Sequence, residues 1–311
     1  VKAISLFSGA EGFGLGFERA GIETVLQAEI DPWCLGVLEH HWPNTRRVND
    51  VRAIRGFAYG VDLVYGGFPC QDLSVAGARA GLAGERSGLW HEFRRVLQEL
   101  RPAWCVIENV PGLLSSNRGL DFAVLLHGLE ELGYGWSYRV LDAQGFGVAQ
   151  RRRRVFIVGS LGGEQRAEQV LAECPCGGGN SQEGREAGEG TTGSLSAGTL
   201  RAGGVNGGNN PAGGYVAELA YAIAAREAKG VSLLESQTNY IAGGGVRRLT
   251  PLECERLMGW PDDWTRWAVK DGKAVEVPDS HRYRMCGNGV VSNVAEWLGR
   301  RLVEVDRWQD E

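Results

Sequence analysis

"KAISLFSGAEGFGLGFERAGIETVLQAEID", residues 2–31, is the stretch on which the fold turns. An apolar run of strand character opens it and a cluster of glycines follows. "GLGFERAG" then carries helical spacing, and "TVLQAEID" is a second strand run ending on acids. The alternation repeats outward through "PWCLGVLEHHW", "VDLVYGG", "LWHEFRRVLQELRP", "AWCVIENV", "FAVLLHGLEELGY", "SYRVLDA" and "RRVFIVGS". Strand–helix–strand alternation at this spacing predicts a doubly wound parallel α/β sheet over residues 1–160. Ligands of such sheets sit outside the carboxyl ends of the strands, where Gly9, Glu29, Cys70 and Glu108 all fall.

The composition then changes. From about 161 to 246 glycine dominates, with little period apart from "ELAYAIAAREAKG", so this stretch reads as a smaller, loop-rich unit. Order returns at "RRLTPLECERLMGWPDDW", where Thr250 is the expected N-cap, Pro251 opens the first turn and Glu253 completes a capping box. "YRMCGNGVVSNVAEWLGRRLVEV" predicts a turn and a long amphipathic helix returning to the first unit.

The chain has 311 residues, enough for one large domain with a smaller partner, and the balance of an ordinary globular protein. No apolar run approaches membrane-spanning length, and the opening residues read as a strand rather than a signal peptide. Seven cysteines without disulfide-framework spacing favour free thiols in a reducing cytoplasm. Cys174 and Cys176 have no second pair or nearby histidine, too few ligands for zinc, so no metal site is expected. Net charge is −5, yet contacts are made by patches, and "QRRRR" at 150–154 is a concentrated basic run beside an apolar strand.

The glycines of 6–21 let the backbone approach a ligand and free helix N-terminal amides, and the loop itself, ahead of the helical run that bears Arg19, carries no Lys or Arg to hold phosphate. Glu29, some 20 residues on, is placed as an acid that binds ribose hydroxyls. In "DLVYGGFPCQDLSVAG" (62–77) a lone Cys70 follows a strand run, with Pro69 fixing the backbone before it and a long polar loop after it. A buried, inert thiol is one reading. A nucleophile needing positive partners to lower its pKa of ~8.5 is the other, and Arg79, Arg86 and 151–154 can supply them. Glu108, beside Asn109 at the end of "AWCVIEN", is a carboxyl with apolar walls, which raises its pKa and lets it donate a proton. Thiol, buried acid and nucleoside site together suggest attack on an electron-poor ring carbon.

The set resembles the S-adenosylmethionine-dependent cytosine-5 DNA methyltransferases, in order over nearly the whole chain outside 161–246. "FSGAEGFGLGF" is similar to the family's cofactor loop, "EID" to its ribose turn and "NDVR" to its adenine turn. "GGFPCQDLSVAG" is similar to the catalytic loop and "ENV" to the base-binding acid. "GVAQRRRRVFIVG" looks like the Q-x-R-x-R signature, "RRLTPLECERLMGWP" the motif closing the target-recognition domain, and "GNGVV" the last cofactor contact. The resemblance implies a Rossmann-like mixed sheet of the class I methyltransferase type with a small target-recognition domain. Its division is 1–160, 161–270 and a returning 271–311.

It also implies the chemistry. The Cys70 thiolate adds to carbon 6 of a flipped-out cytosine so that carbon 5 can take a methyl group. Glu108 binds the exocyclic amine and ring nitrogen 3, Arg154 the ring carbonyl, and Arg152 the catalytic loop or an adjoining phosphate. S-adenosylmethionine, leaving as S-adenosylhomocysteine, would meet Phe7, Gly9 and Gly12 in the loop. Glu29 would take its ribose, Asp50 the adenine amine, Ile30 and Leu89 the adenine faces, and Pro69, Asn288 and Val290 further contacts. The implied partner is double-stranded DNA, read at a short site by a monomer. A separate restriction endonuclease, phage self-protection or orphan regulation are the settings open to it.

Glu11 departs from the pattern, standing where glycine is usual, so a positive φ there would strain the loop. Gly289 and Asn293 also depart from the usual residues, in a tolerable way. Two rivals remain at this point. A tRNA cytosine methyltransferase shares the fold, but "GGFPCQ" has Phe68 where that branch carries proline, and no Cys-Phe-Thr precedes "LTP". A silent DNA-binding homologue would not need Cys70, Glu108, Arg152 and Arg154 together.

Overall fold

The computed structural model describes residues 1–55, 60–69, 88–172, 239–242 and 245–307. Seven strands form one sheet: β1 (Lys2–Leu6), β2 (Glu23–Ala28), β3 (Arg46–Val48), β4 (Leu63–Gly66), β5 (Trp104–Asn109), β6 (Gly135–Asp142) and β7 (Arg153–Ser160). Their order is β3-β2-β1-β4-β5-β7-β6. β7 runs antiparallel to both β5 and β6, so the sheet is mixed, as the family resemblance implies, where strand–helix alternation alone predicts a parallel one. The cause is the connection. A parallel crossover needs a dozen or more residues, usually a helix. Residues 143–152 hold only a 3₁₀ turn (Ala143–Phe146), so the chain doubles back as a hairpin.

Alternating strand residues feed two cores. Ala3, Leu63, Tyr65, Val106 and Val158 face one side, while Ile4, Val64, Cys105, Ile107 and Ile157 face the other. The first side is covered by α1 (Gly12–Arg19), by a helix at Glu164–Leu171 and by the long helix Ser292–Arg307. The second is covered by Gly88–Leu100 and Leu120–Glu131. Helices on both faces make the sheet doubly wound, as expected.

The helix Glu164–Leu171 lies inside the stretch read as loop-rich. Local glycine content concealed it, yet Ala167, Val170 and Leu171 fall on one face and are buried. Most of the remaining glycine-rich stretch, with "ELAYAIAAREAKG" and Cys174 and Cys176, lies outside the described residues. After it come two strands, Asn239–Ala242 and Gly245–Arg248, paired antiparallel. The helix Pro251–Leu257 has the expected capping box, Thr250 and Glu253 each accepting the other's backbone N–H.

The segment after this helix returns to the first core. The indole of Trp260 donates to the Val290 carbonyl at 3.1 Å and that of Trp264 to the Ala10 carbonyl at 2.9 Å. At the other end, Trp104 and Arg166 both donate to Asp306, at 2.9 and 3.0 Å, fastening the last helix to β5. Among the described residues no helix is long and apolar enough to cross a membrane.

Candidate active site

The carboxyl ends of β1, β2, β4 and β5 open onto a cavity of about 750 Å³. Its first wall is the loop after β1. Phe7, Gly9 and Glu11 there have φ of 56°, 57° and 61°, three left-handed residues alternating through the turn. A left-handed non-glycine residue costs roughly 1–2 kcal/mol, so Glu11 is strained, and its own carboxylate offsets the strain. Oε1 accepts from Gly14 N at 3.1 Å, capping α1, and from the hydroxyls of Ser5 and Tyr65, both at 2.9 Å. The side chain is fully buried, and that burial raises its pKa to about 7 against the pull of those donors.

Glu29 fixes the second wall. One carboxylate oxygen accepts from Gly9 N at 2.7 Å and the other from Ile30 N and Asp31 N, both at 2.8 Å. The turn after β2 is thereby tied to the turn after β1, leaving Ile30 76% exposed at the rim. Asp50 caps a 3₁₀ turn (Val51–Ala53) by accepting from Arg52 N at 2.8 Å. Gly12 is where the C-terminal segment closes in: a Cβ there would lie 2.2 Å from the Val290 carbonyl and 2.4 Å from Trp260 Nε1. Phe7, Gly9, Gly12, Glu29, Ile30, Asp50, Pro69, Leu89, Asn288 and Val290 all line this one cavity.

Glu108 and Arg154 line the same cavity. Arg154 Nε stands 3.1 Å from Glu108 Oε1, and both side chains are largely buried. Glu108's pKa is raised by burial, which outweighs the opposing pull of Arg154 and Arg152. Gly67 makes this seat available, since a Cβ there would meet Glu108 Oε2 at 2.6 Å. Arg152 is brought elsewhere. It is 3% exposed, outside this cavity, and donates to the carbonyls of Gly287 and Gly289 at 2.7 Å each, gripping the C-terminal end of the helix Asp279–Asn288, where the sequence suggests a turn. Cys70, with the loop after it and Arg79 and Arg86, lies outside the described residues. The backbone leading to it is held: Asn109 Nδ2 donates to the Phe68 carbonyl at 3.0 Å, and Phe68 is buried against Trp90 and Phe93.

A family profile for C-5 cytosine-specific DNA methylases matches residues 1–175 and 181–304. The type II methyltransferase M2.BsuMI of Bacillus subtilis (strain 168) is 33% identical over 311 residues, covering 97% of this chain and 75% of that protein. The chain belongs to the C-5 cytosine-specific DNA methylases.

Another relative, the type II methyltransferase M.NgoBV of Neisseria gonorrhoeae, is 37% identical over 175 residues, covering 52% of this chain and 41% of its own length. A crystal structure of a candidate DNA modification methyltransferase encoded within an E. coli prophage superposes with a TM-score of 0.63. It covers 99% of both chains at 21% identity, a likeness of fold. Membership makes this chain a DNA cytosine-5 methyltransferase and implies a methyl donor.

Some of this methylase's site residues escaped the sequence reading. Arg284 lines the cavity and pairs with Asp31 at 2.6 Å, joining the C-terminal segment to the turn after β2. Its neighbour, the "GNGVV" motif, was the available signal. Tyr65 and Ser5 meet Glu11 beneath the loop, and no local pattern marks a hydroxyl in an apolar strand as its partner.

Proposed function

We propose that the protein transfers a methyl group from S-adenosylmethionine to carbon 5 of a cytosine flipped out of double-stranded DNA at a short specific site. The observation that carries this reading is the shared cavity: the ten residues expected at the cofactor line it together with the Glu108–Arg154 pair. The cavity suits a nucleoside. Glu29 and Asp50 offer carboxylate acceptors, Ile30 and Leu89 apolar faces for a planar ring, and a Cβ built on Gly9 meets nothing within 4 Å. When bound, S-adenosylmethionine supplies an electrophilic sulfonium methyl.

The chain's own residues do the rest. The Cys70 thiolate forms a bond to carbon 6, and the displaced ring electrons make carbon 5 nucleophilic. Glu108, kept protonated more readily by its burial, donates toward ring nitrogen 3 and accepts from the exocyclic amine. Arg154 turns to the ring carbonyl and balances charge that develops there. Loss of the carbon 5 proton to water then expels Cys70 as thiolate, restoring the ring. Arg152 acts at a distance by holding the helix end at Gly287–Gly289, and Asn109 by holding Phe68 ahead of the nucleophile. The type II relatives support a role in restriction–modification; to this we add a cytoplasmic monomer, with a cognate endonuclease acting separately.

Bisulfite sequencing of plasmid DNA incubated with protein and S-adenosylmethionine tests this directly. Protection of cytosines in one short context, abolished in Cys70→Ala, is expected. Protection that persists in Cys70→Ala overturns the covalent mechanism, and none in the wild type overturns the reaction.

A further inference from the structure

Glu11 is a buried ionisable group to which the mechanism gives no task. Glu11 is 0% exposed, and three donors converge on Oε1 while Oε2 has no hydrogen-bond partner. A loop that needed only an N-cap would be served by a short neutral side chain. Instead a carboxyl lies against the cavity floor: its donors Ser5 and Tyr65 line the cavity, and so does Gly12, the next residue. Ser8, also at the cavity, donates to Ser5 Oγ at 2.8 Å, so a chain of hydroxyls joins the open cavity to the buried acid. A proton can move along it without opening the fold.

We propose that Glu11 is a specificity-determining residue, a buried counter-charge that makes the cavity favour a cationic sulfonium ligand over the neutral thioether left after methyl transfer. This rests on the cofactor assignment above. A carboxylate with an unpartnered oxygen in a low-dielectric site attracts a nearby cation far more than one in water does. The two ligands differ there by one methyl and one positive charge, so a charge beneath the loop separates them where shape cannot. Discrimination of this kind lets product leave and fresh donor enter.

The groups facing Glu11 are few among the described residues. β1 presents Ser5, α1 the Gly14 amide, and β4 Tyr65, whose phenol is pushed up by burial and by Glu11 itself. Thr24 of β2 bonds Tyr65 at 2.8 Å. The helix Ser292–Arg307, packed on α1, brings Glu296 to Arg19 at the helix's other end. The segment over Gly12 contributes the neutral indoles of Trp260 and Trp264. With its pKa near 7, Glu11 titrates where the effect can be read. Protonated, it is neutral and indifferent to ligand charge, and its discrimination grows as pH rises.

Calorimetric titration of the unreacted protein with S-adenosylmethionine and with S-adenosylhomocysteine, from pH 6 to 8 in two buffers of different ionisation enthalpy, tests this. Donor binding should release a proton that product binding does not. The affinity ratio of donor to product should rise about fivefold across the range if binding the cation lowers Glu11's pKa by one unit. Glu11→Gln, run in parallel to subtract the ligands' own titration, should abolish both effects. Tyr65→Phe removes a donor to the carboxylate and should move the midpoint to higher pH. Equal proton counts for the two ligands, a wild-type profile in Glu11→Gln, or an unmoved midpoint in Tyr65→Phe would overturn the counter-charge. Failure of the wild type to bind either ligand would overturn the cofactor assignment itself, and this inference with it.

Discussion

Removing the guanidinium from the Glu108–Arg154 pair should expose how the buried acid is held. Arg154 Nε lies 3.1 Å from Glu108 Oε1, and the two side chains are 17% and 10% exposed. Breaking a buried pair from one side costs about 3–5 kcal/mol when the remaining charge cannot escape. Glu108 can escape by taking up a proton, so the cost must depend on pH. Its folded pKa already lies above the unfolded value, because burial outweighs Arg154 and Arg152. Its contribution to stability is therefore fully present below the unfolded pKa and lost as pH rises through the folded one. Arg154→Met raises the folded pKa further, so the variant's deficit should widen from pH 5 to pH 8. Urea unfolding of wild type, Arg154→Met, Glu108→Gln and the double variant gives the coupling directly. We expect about 2–3 kcal/mol at pH 8 and less than about 1 kcal/mol at pH 5, after the cost of an unpaired buried charge. A coupling below about 0.5 kcal/mol at pH 8, in the range of an exposed pair, or one equal at the two pH values, refutes the reasoning.

Gly12→Ala puts a methyl 2.2 Å from the Val290 carbonyl and 2.4 Å from Trp260 Nε1. It should cost about 1–3 kcal/mol by overpacking, read by urea unfolding, and weaken donor binding at the same time. Arg152→Lys loses the guanidinium Nη2 that serves both carbonyls, and a flexible ammonium does not keep its fixed donor geometry. It should lower stability by about 1–3 kcal/mol through a carbonyl left unsatisfied and raise the KM for the methyl donor more than it lowers kcat. Glu11→Gln should stabilise the unliganded protein at pH 8 by up to about 3 kcal/mol, with no gain at pH 4. The sign follows from the rise from 4.5 to about 7 on folding, which is favourable below 4.5 and lost as pH climbs through 7. Thermal melts across that range check it.

Residues whose surroundings are set by their own strand were legible in advance. The two-residue alternation and the glycines after β1 were enough to put Gly9, Glu29 and Glu108 at the carboxyl edge of a doubly wound sheet. Thr250 and Glu253 were legible because a capping box is complete within four residues. What could not be read depends on partners far along the chain. The direction of β7 is a different case: it follows from the short 143–152 connection, periodicity carries no sign of direction, and the family resemblance was what implied a mixed sheet. Arg152 finds its acceptors 135 and 137 residues away, and from sequence it is one arginine among four. The positive φ at Glu11 was foreseen as strain. Its relief was not, because Ser5 and Tyr65 sit on different strands and read locally as core positions.

Polar ties join the segments that wall the cavity. Glu29 binds the turn after β2 to the turn after β1, and Arg284 binds the C-terminal segment to Asp31. Arg152 grips the helix end at Asn288 from the β7 side, while Asn109 holds the backbone at Phe68. Each tie is one or two hydrogen bonds from a charged or amide side chain to backbone or carboxylate, worth about 0.5–3 kcal/mol apiece. The two cores beneath carry the bulk of the folding free energy. Loss of one tie should therefore leave the fold intact and misplace one wall. Variants at Glu29, Arg284, Arg152 and Asn109 should separate ligand affinity from stability in a way that core substitutions at Phe17 or Ile107 cannot.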